Sequence, residues 1–161
     1  MRAWRGLMSS NLLLFEQLGR ELGRQSGLSM ADYEVLVRLS ETEGRRLRMS
    51  DLASASLSSK SRLSHQVSRM EDAGWVRRES CPSDRRGAFA VLTDAGYATL
   101  VEAAPGHVES VRQNLFDHLT DDQVAQLADI TETLWRRLEE TVKSGCAAPQ
   151  GSDAAEEVRG A

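Results

Sequence analysis

Apolar residues recur at helical spacing over residues 5–25, where Leu7, Leu14, Leu18 and Leu22 form one stripe and Leu12, Leu13 and Phe15 widen it. Spacings of three and four are the mark of an amphipathic helix, here one with a broad apolar face. Gly27 supplies its stop. Ser29-Met-Ala-Asp32 reads as the N-cap of a second helix, with Asp32 where Glu or Gln is usual. That helix turns Val35, Leu36 and Leu39 inward and ends near Gly44. The run RRLRM at residues 45–49 is too short for a helix and suits a minimal strand. A short helix follows from Met49 or Ser50, with Leu52 and Ala53 inward. After Leu57-Ser58 another begins, capped by Ser58 or Ser59 and ended by Gly74 just past its last turn.

Residues 75–80 and 88–92 then read as two strands of a hairpin whose turn holds Pro82, Ser83, Asp84 and Gly87, all poor at continuing a helix or strand. Thr93 caps a long helix carrying Tyr97, Leu100, Val101, Val108, Val111, Leu115 and Phe116. Pro105-Gly106 inside it predicts a kink or break, since an interior proline costs about 3 kcal/mol. Thr120-Asp-Asp-Gln123 fits the capping box. The helix behind it repeats Val124, Leu127, Thr131, Leu134, Leu138 and Val142 over about six turns. From Ser144 the chain is small, polar and acidic and reads as a disordered tail.

Two short helices followed by a two-stranded ribbon make a winged helix-turn-helix, whose second short helix enters the DNA major groove by its N-terminal residues. The fold class is therefore mainly α with a small β component (α+β), with long N- and C-terminal helices flanking the winged lobe. The expected divisions are a dimerisation helix over residues 1–28, the winged lobe over 29–92, C-terminal dimerisation helices over 93–143 and the tail over 144–161. A chain this small cannot easily bury both the broad first stripe and the long terminal one by itself, short of a monomer that packs these helices on each other. A two-fold homodimer with a self-complementary interface would bury them.

Charge sharpens this picture. The 161 residues carry a net charge of −4, which alone argues against a nucleic-acid binder. Residues 45–87, however, hold ten Lys/Arg against five Asp/Glu, a net of +5, while the remainder holds ten against nineteen, a net of −9. A basic middle in an acidic frame is a directional field, and a local field steers a polyanion better than the total charge does. The two cysteines, Cys81 and Cys146, are far apart in sequence, which fits a reducing cytoplasm better than a disulfide framework. No apolar run approaches the roughly 20 residues of a membrane span, so no membrane partner is expected. The N-terminal stretch has no small-residue cleavage site and runs into an amphipathic pattern, so a signal peptide is not expected either.

Within the basic middle, Leu63, Val67 and Met70 share one face of their helix. Opposite them fall Ser61, Arg62, His65 and Arg69, with Ser58 at the helix entrance. Ser59 and Ser64 complete the candidate DNA-contacting set on this helix. No acid interrupts that face; Glu71 and Asp72 wait at the C-terminal end. Arginine is the commonest reader of guanine edges, serine contacts bases or phosphates, and helix N-terminal amides attract phosphate. Arg85 and Arg86 at the hairpin tip suit a wing that places arginine in the narrow minor groove, with Asp84 orienting one of them by an ion pair.

The segments DRRGAFAVLTDAG (84–96) and LASASLSSKSRLSHQVSRMEDAGWVRR (52–78) together resemble the MarR (multiple antibiotic resistance regulator) family of bacterial transcription factors. The resemblance covers roughly residues 5–143. It implies an intertwined homodimer whose two winged lobes bind a palindrome of double-stranded DNA. Asp84 and Arg86 fall on the family's wing pair, with Arg86 the groove-inserting side chain, and Ser61, Arg62, His65 and Arg69 on its recognition-helix face. Members commonly repress nearby genes, and many release DNA when a small aromatic or phenolic effector binds between the dimer domain and the winged lobe.

Other classes fit less well. No cofactor is expected, and no nucleophile-and-base constellation or Gly-rich phosphate loop points to an enzyme. His65, His107 and His118 are isolated, and the last two stand about 16 Å apart along a helix, too far to chelate one ion within a chain. His107, beside Pro105, reads as an interface or ligand contact. Peroxide-sensing members of the family carry a cysteine in the first helix, which this chain lacks. A thiol response would have to run through Cys81 at the start of the wing. A winged helix used only for protein contacts would carry acids or apolar groups where Ser61, His65 and Arg69 stand.

Overall fold

A computed structural model of the chain describes residues 1–56, 58–81 and 84–146, with residues 84–86 and 142–146 as backbone alone. Leu57, Pro82, Ser83 and the stretch from residue 147 onward lie outside the described residues, and with them most of the expected tail. Residues 144–146, assigned to that tail from composition, continue the last helix instead.

The first helix, α1, spans Arg2–Ser26. It stops where Gly27 takes a left-handed φ of 73° and its N–H donates to the Gly23 carbonyl, a conformation a side chain would resist. Ser29 then caps α2, Met30–Ser40, by accepting from the Asp32 N–H. Helix α2 ends short of Gly44, because the Ser40 and Thr42 hydroxyls bond back to the Val37 and Arg38 carbonyls and satisfy its last turn. A 3₁₀ turn over Glu43–Arg45 leads into strand β1, Arg46–Arg48.

Helices α3, Met49–Ala55, and α4, Lys60–Asp72, follow, then strands β2, Val76–Cys81, and β3, Asp84–Leu92. The expected two-stranded ribbon is in fact a three-stranded antiparallel sheet of order β1-β3-β2. Leu47 of β1 stands opposite the buried Ala90 and packs on the core, which draws the short strand into the sheet. Strand β3 also begins earlier than expected, at Asp84 rather than Ala88. The register passes from Ser80↔Ala88 to Cys81↔Asp84, so residues 85–87 form a bulge in the wing.

Helix α5 runs from Asp94 to Asn114, with Thr93 accepting from the Gly96 N–H at 3.0 Å. It runs continuously through Pro105, so of the expected kink or break the break is absent. Leu100, Ala103 and Ser110, on either side of the proline, are buried and hold the helix in place. One core gathers Leu22 of α1, Leu28, Val35, Leu36 and Leu39 around α2, Leu52 of α3, Leu63, Val67 and Met70 of α4, Val76, Ala90 and Leu92 of the sheet, and Leu100 and Ala103 of α5.

Met1–His118 form one compact unit. A second begins at Leu119 and contains α6, Asp121–Cys146. The reciprocal capping box of α6 is present: the Gln123 N–H donates to Thr120 Oγ1 and the Thr120 N–H donates to Gln123 Oε1. Each unit leaves an apolar stripe exposed. In the first it is Trp4, Leu7, Met8, Leu12, Leu13 and Phe15 of α1; in the second, Ile130, Leu134, Trp135 and Leu138 of α6.

Candidate nucleic-acid interface

Helices α3 and α4 meet through a turn closed by the Ser58 N–H donating to the Ala53 carbonyl at 3.0 Å. Ser59 caps α4 by accepting from the Arg62 N–H and lies 3.3 Å from the Ser61 hydroxyl. The helical period does what the sequence demanded: Leu63, Val67 and Met70 are fully buried, while Ser61, Arg62, Ser64, His65 and Arg69 are exposed. Ser58 is half-buried and Ser59 exposed at the helix entrance. Lys60, at the first helical position, is exposed as well and adds a second cation beside Arg62 near the N-terminal end.

The far end of α4 is tied down on two sides. On one side, Asp32 of α2 accepts from Gln66 Nε2 at 3.1 Å and from the Ser29 hydroxyl at 2.6 Å, and stands 4.0 Å from Arg69. Asp32 is only 13 % exposed and Arg69 72 % exposed, so the acid belongs to the fold while the guanidinium reaches solvent. On the other side, Arg78 of β2 donates to the Ser64 carbonyl at 2.7 Å, to the Ser68 hydroxyl at 3.1 Å and to Glu71 Oε2 at 2.5 Å. Ser64 therefore supports Arg78 as well as facing solvent. Arg78 was missed although strand alternation marks it: it shares the inward face with Val76 and stands opposite Ala90, while Arg77 points out.

The hairpin next to α4 carries Asp84, Arg85 and Arg86 at the start of β3. Their side chains, and so the expected Asp84–Arg pair, lie outside the described residues. Cys81 is buried at the end of β2, opposite Asp84. Among the described residues no group of three or more His, Cys, Asp or Glu could hold a metal, and no helix is long and apolar enough to cross a membrane.

A separate cleft of about 650 Å³ opens between α1 and α2, lined by Phe15, Met30, Tyr33, Val37, Arg38 and Glu41 among others. The Tyr33 ring packs on His107 of α5 at 4.5 Å between centroids. Burial pushes the Tyr33 hydroxyl pKa up and the His107 pKa down. The Nδ1 atom of His107 is buried and takes no hydrogen bond among the described residues.

Comparison with known proteins agrees with this fold. The family model of the MarR family matches residues 28–87. The crystal structure of AbsC, a MarR family transcriptional regulator from Streptomyces coelicolor, is 50% identical, covers 86% of this chain and 93% of its own, and superposes with a TM-score of 0.79. Sco3205 from the same organism, a MarR family regulator crystallised in complex with DNA, is 48% identical over 84% of this chain and 88% of its own, with a TM-score of 0.79. The transcriptional repressor YetL of Bacillus subtilis is 30% identical over 67% of this chain and 66% of its own.

Proposed function

The chain belongs to the MarR family, a family of transcriptional regulators and not of enzymes, and from that premise we propose that it is a cytoplasmic repressor that binds a palindromic operator as a homodimer. The observation that carries this reading is the exposed face of α4: Lys60, Ser61, Arg62 and His65, without an acid, in the first turns of a helix capped by Ser59. Such a face matches the acceptors of guanine and the phosphates beside them. The neighbouring hairpin supplies Arg85 and Arg86 for the adjacent minor groove, with Asp84 orienting Arg86. The DNA complex of Sco3205 supports the same partner, and the repressor YetL supports the direction of control.

Dimerisation follows from the exposed stripes of α1 and α6. Two tryptophans, Trp4 and Trp135, stand in these stripes, and a soluble monomer rarely leaves so much contiguous apolar surface to water. A two-fold partner removes both stripes from solvent and repeats α4 about one duplex turn away. The cleft at Phe15 and Tyr33 is the place for a small aromatic effector, with two rings and the Arg38–Glu34 ion pair in its lining.

The test is Arg62→Ala. Arg62 is exposed and outside the core, so the melting temperature should stay within a degree or two of the parent. Affinity for a duplex selected by the parent chain should fall by about 1–3 kcal/mol, unevenly across base variants of one half-site. A loss that is uniform across variants would assign Arg62 to phosphate instead, and no loss would remove the N-terminal end of α4 from the interface.

A further inference from the structure

We propose that Arg78 is a positioning residue that sets the angle between the recognition helix and the wing, so that the two reach adjacent grooves of one duplex in register. The proposal rests on the reading of the chain as a duplex-binding regulator. Arg78 lies on the inner face of β2, the first strand of the hairpin, between Val76 and the wing bulge. Its side chain crosses to α4 and meets Ser64, Ser68 and Glu71, which follow one another at four- and three-residue spacing on a single helix face. The Arg78 backbone N–H donates to Glu71 Oε1 at 2.8 Å while its guanidinium takes Glu71 Oε2, so one carboxylate holds both the strand and its side chain.

This clasp is unlike an ordinary surface ion pair. Arg78 and Glu71 are 30 % and 28 % exposed, and the guanidinium is shared among a carbonyl, a hydroxyl and a carboxylate on two turns of helix. A planar fork of five donors can serve all three at once, and a lysine ammonium cannot. With Asp32 and Gln66 fixing α4 against α2 on the opposite side, Arg78 is a side-chain link, beside the Trp75 N–H to Met70 carbonyl bond, through which α4 is registered to the strand that carries the wing. Its guanidinium is engaged with the protein, so its contribution to binding is geometric and not a phosphate contact.

The test compares Arg78→Lys and Glu71→Gln with the parent chain on two duplexes of equal length. One is a sequence the parent enriches from a random pool, the other its scrambled version. Melting temperatures are measured first, and binding is read well below them. The clasp predicts that both variants lose at least about tenfold in preference for the enriched duplex, while affinity for the scrambled duplex and the salt slope stay at the parent's values for Arg78→Lys. Glu71→Gln gives the sharper sign. It removes a negative charge, so simple electrostatics would tighten binding to every duplex, whereas loss of the clasp lowers the preference. Unchanged preference in both variants, an equal fall on both duplexes, or uniform tightening by Glu71→Gln would each overturn the proposal. If the parent itself enriches no sequence, the functional reading fails first, and the inference with it.

Discussion

Gly96→Ala is expected to destabilise the folded chain severely. A Cβ at this position would lie 2.1 Å from the Trp75 carbonyl oxygen, 2.8 Å from its carbon and 2.9 Å from Leu92 Cδ1. The obstacle is backbone, and that backbone is not free to move. The Trp75 carbonyl also accepts from the Thr93 N–H and the Thr93 hydroxyl, both at 3.0 Å, and Thr93 is in turn the cap of α5. One methyl group would therefore part the start of the wing from the start of α5. Overpacking commonly costs about 1–3 kcal/mol and more where the surroundings cannot yield, so a loss of about 3 kcal/mol or more is expected by denaturant titration. Gly19→Ala is the matched control: its Cβ would meet only Met30 Cγ at 3.5 Å, and alanine should stabilise the interior of α1 by about 0.5–1 kcal/mol. Equal midpoints for the two variants would contradict this account of Gly96.

Leu63→Ala carries the second large effect. Leu63 is fully buried on the inward face of α4, in one cluster with Val67, Met70 and Leu36. Truncating a buried leucine costs about 2–5 kcal/mol, through lost transfer energy and the cavity left behind. Its neighbour Arg62 points the other way, so the adjacent pair separates two roles of one helix. Leu63→Ala should lower the unfolding midpoint, and Arg62→Ala should leave it in place while weakening duplex binding. A Leu63→Ala variant as stable as the parent would mean that α4 does not present the face described.

How far the sequence anticipates this structure depends on the range of the interaction involved. Local signals served well. The caps at Ser29, Ser59, Thr93 and Thr120, the stops at Gly27 and Gly74, and the inward trio of α4 all rest on residues within a turn or two of each other. The failures are non-local. RRLRM could be recognised as a minimal strand, but its pairing with β3 depends on Ala90, more than forty residues on. Pro105 should break an isolated helix, yet core packing on either side keeps α5 continuous. In the sequence Arg78 is one of two adjacent arginines, and only its contacts with Ser64, Ser68 and Glu71 reveal what it holds. For the candidate site, the sequence marked the exposed face of α4 correctly and left open which of its residues brace the fold. Arg69 beside Asp32 and Ser64 beneath Arg78 are the two cases where the packed structure adds that distinction.

The central claim is that a basic helix and its neighbouring hairpin grip a DNA duplex, and the salt dependence of binding measures it most directly. The unmodified chain should be titrated against its enriched duplex at a series of salt concentrations. Each neutralised phosphate contributes about −0.9 to the slope of log affinity against log salt. Two lobes bearing Lys60, Arg62, Arg85 and Arg86 should therefore give a steep linear fall, with the complex formed by two copies of the chain. A flat dependence, or no retardation of the duplex even in dilute buffer, would contradict the account.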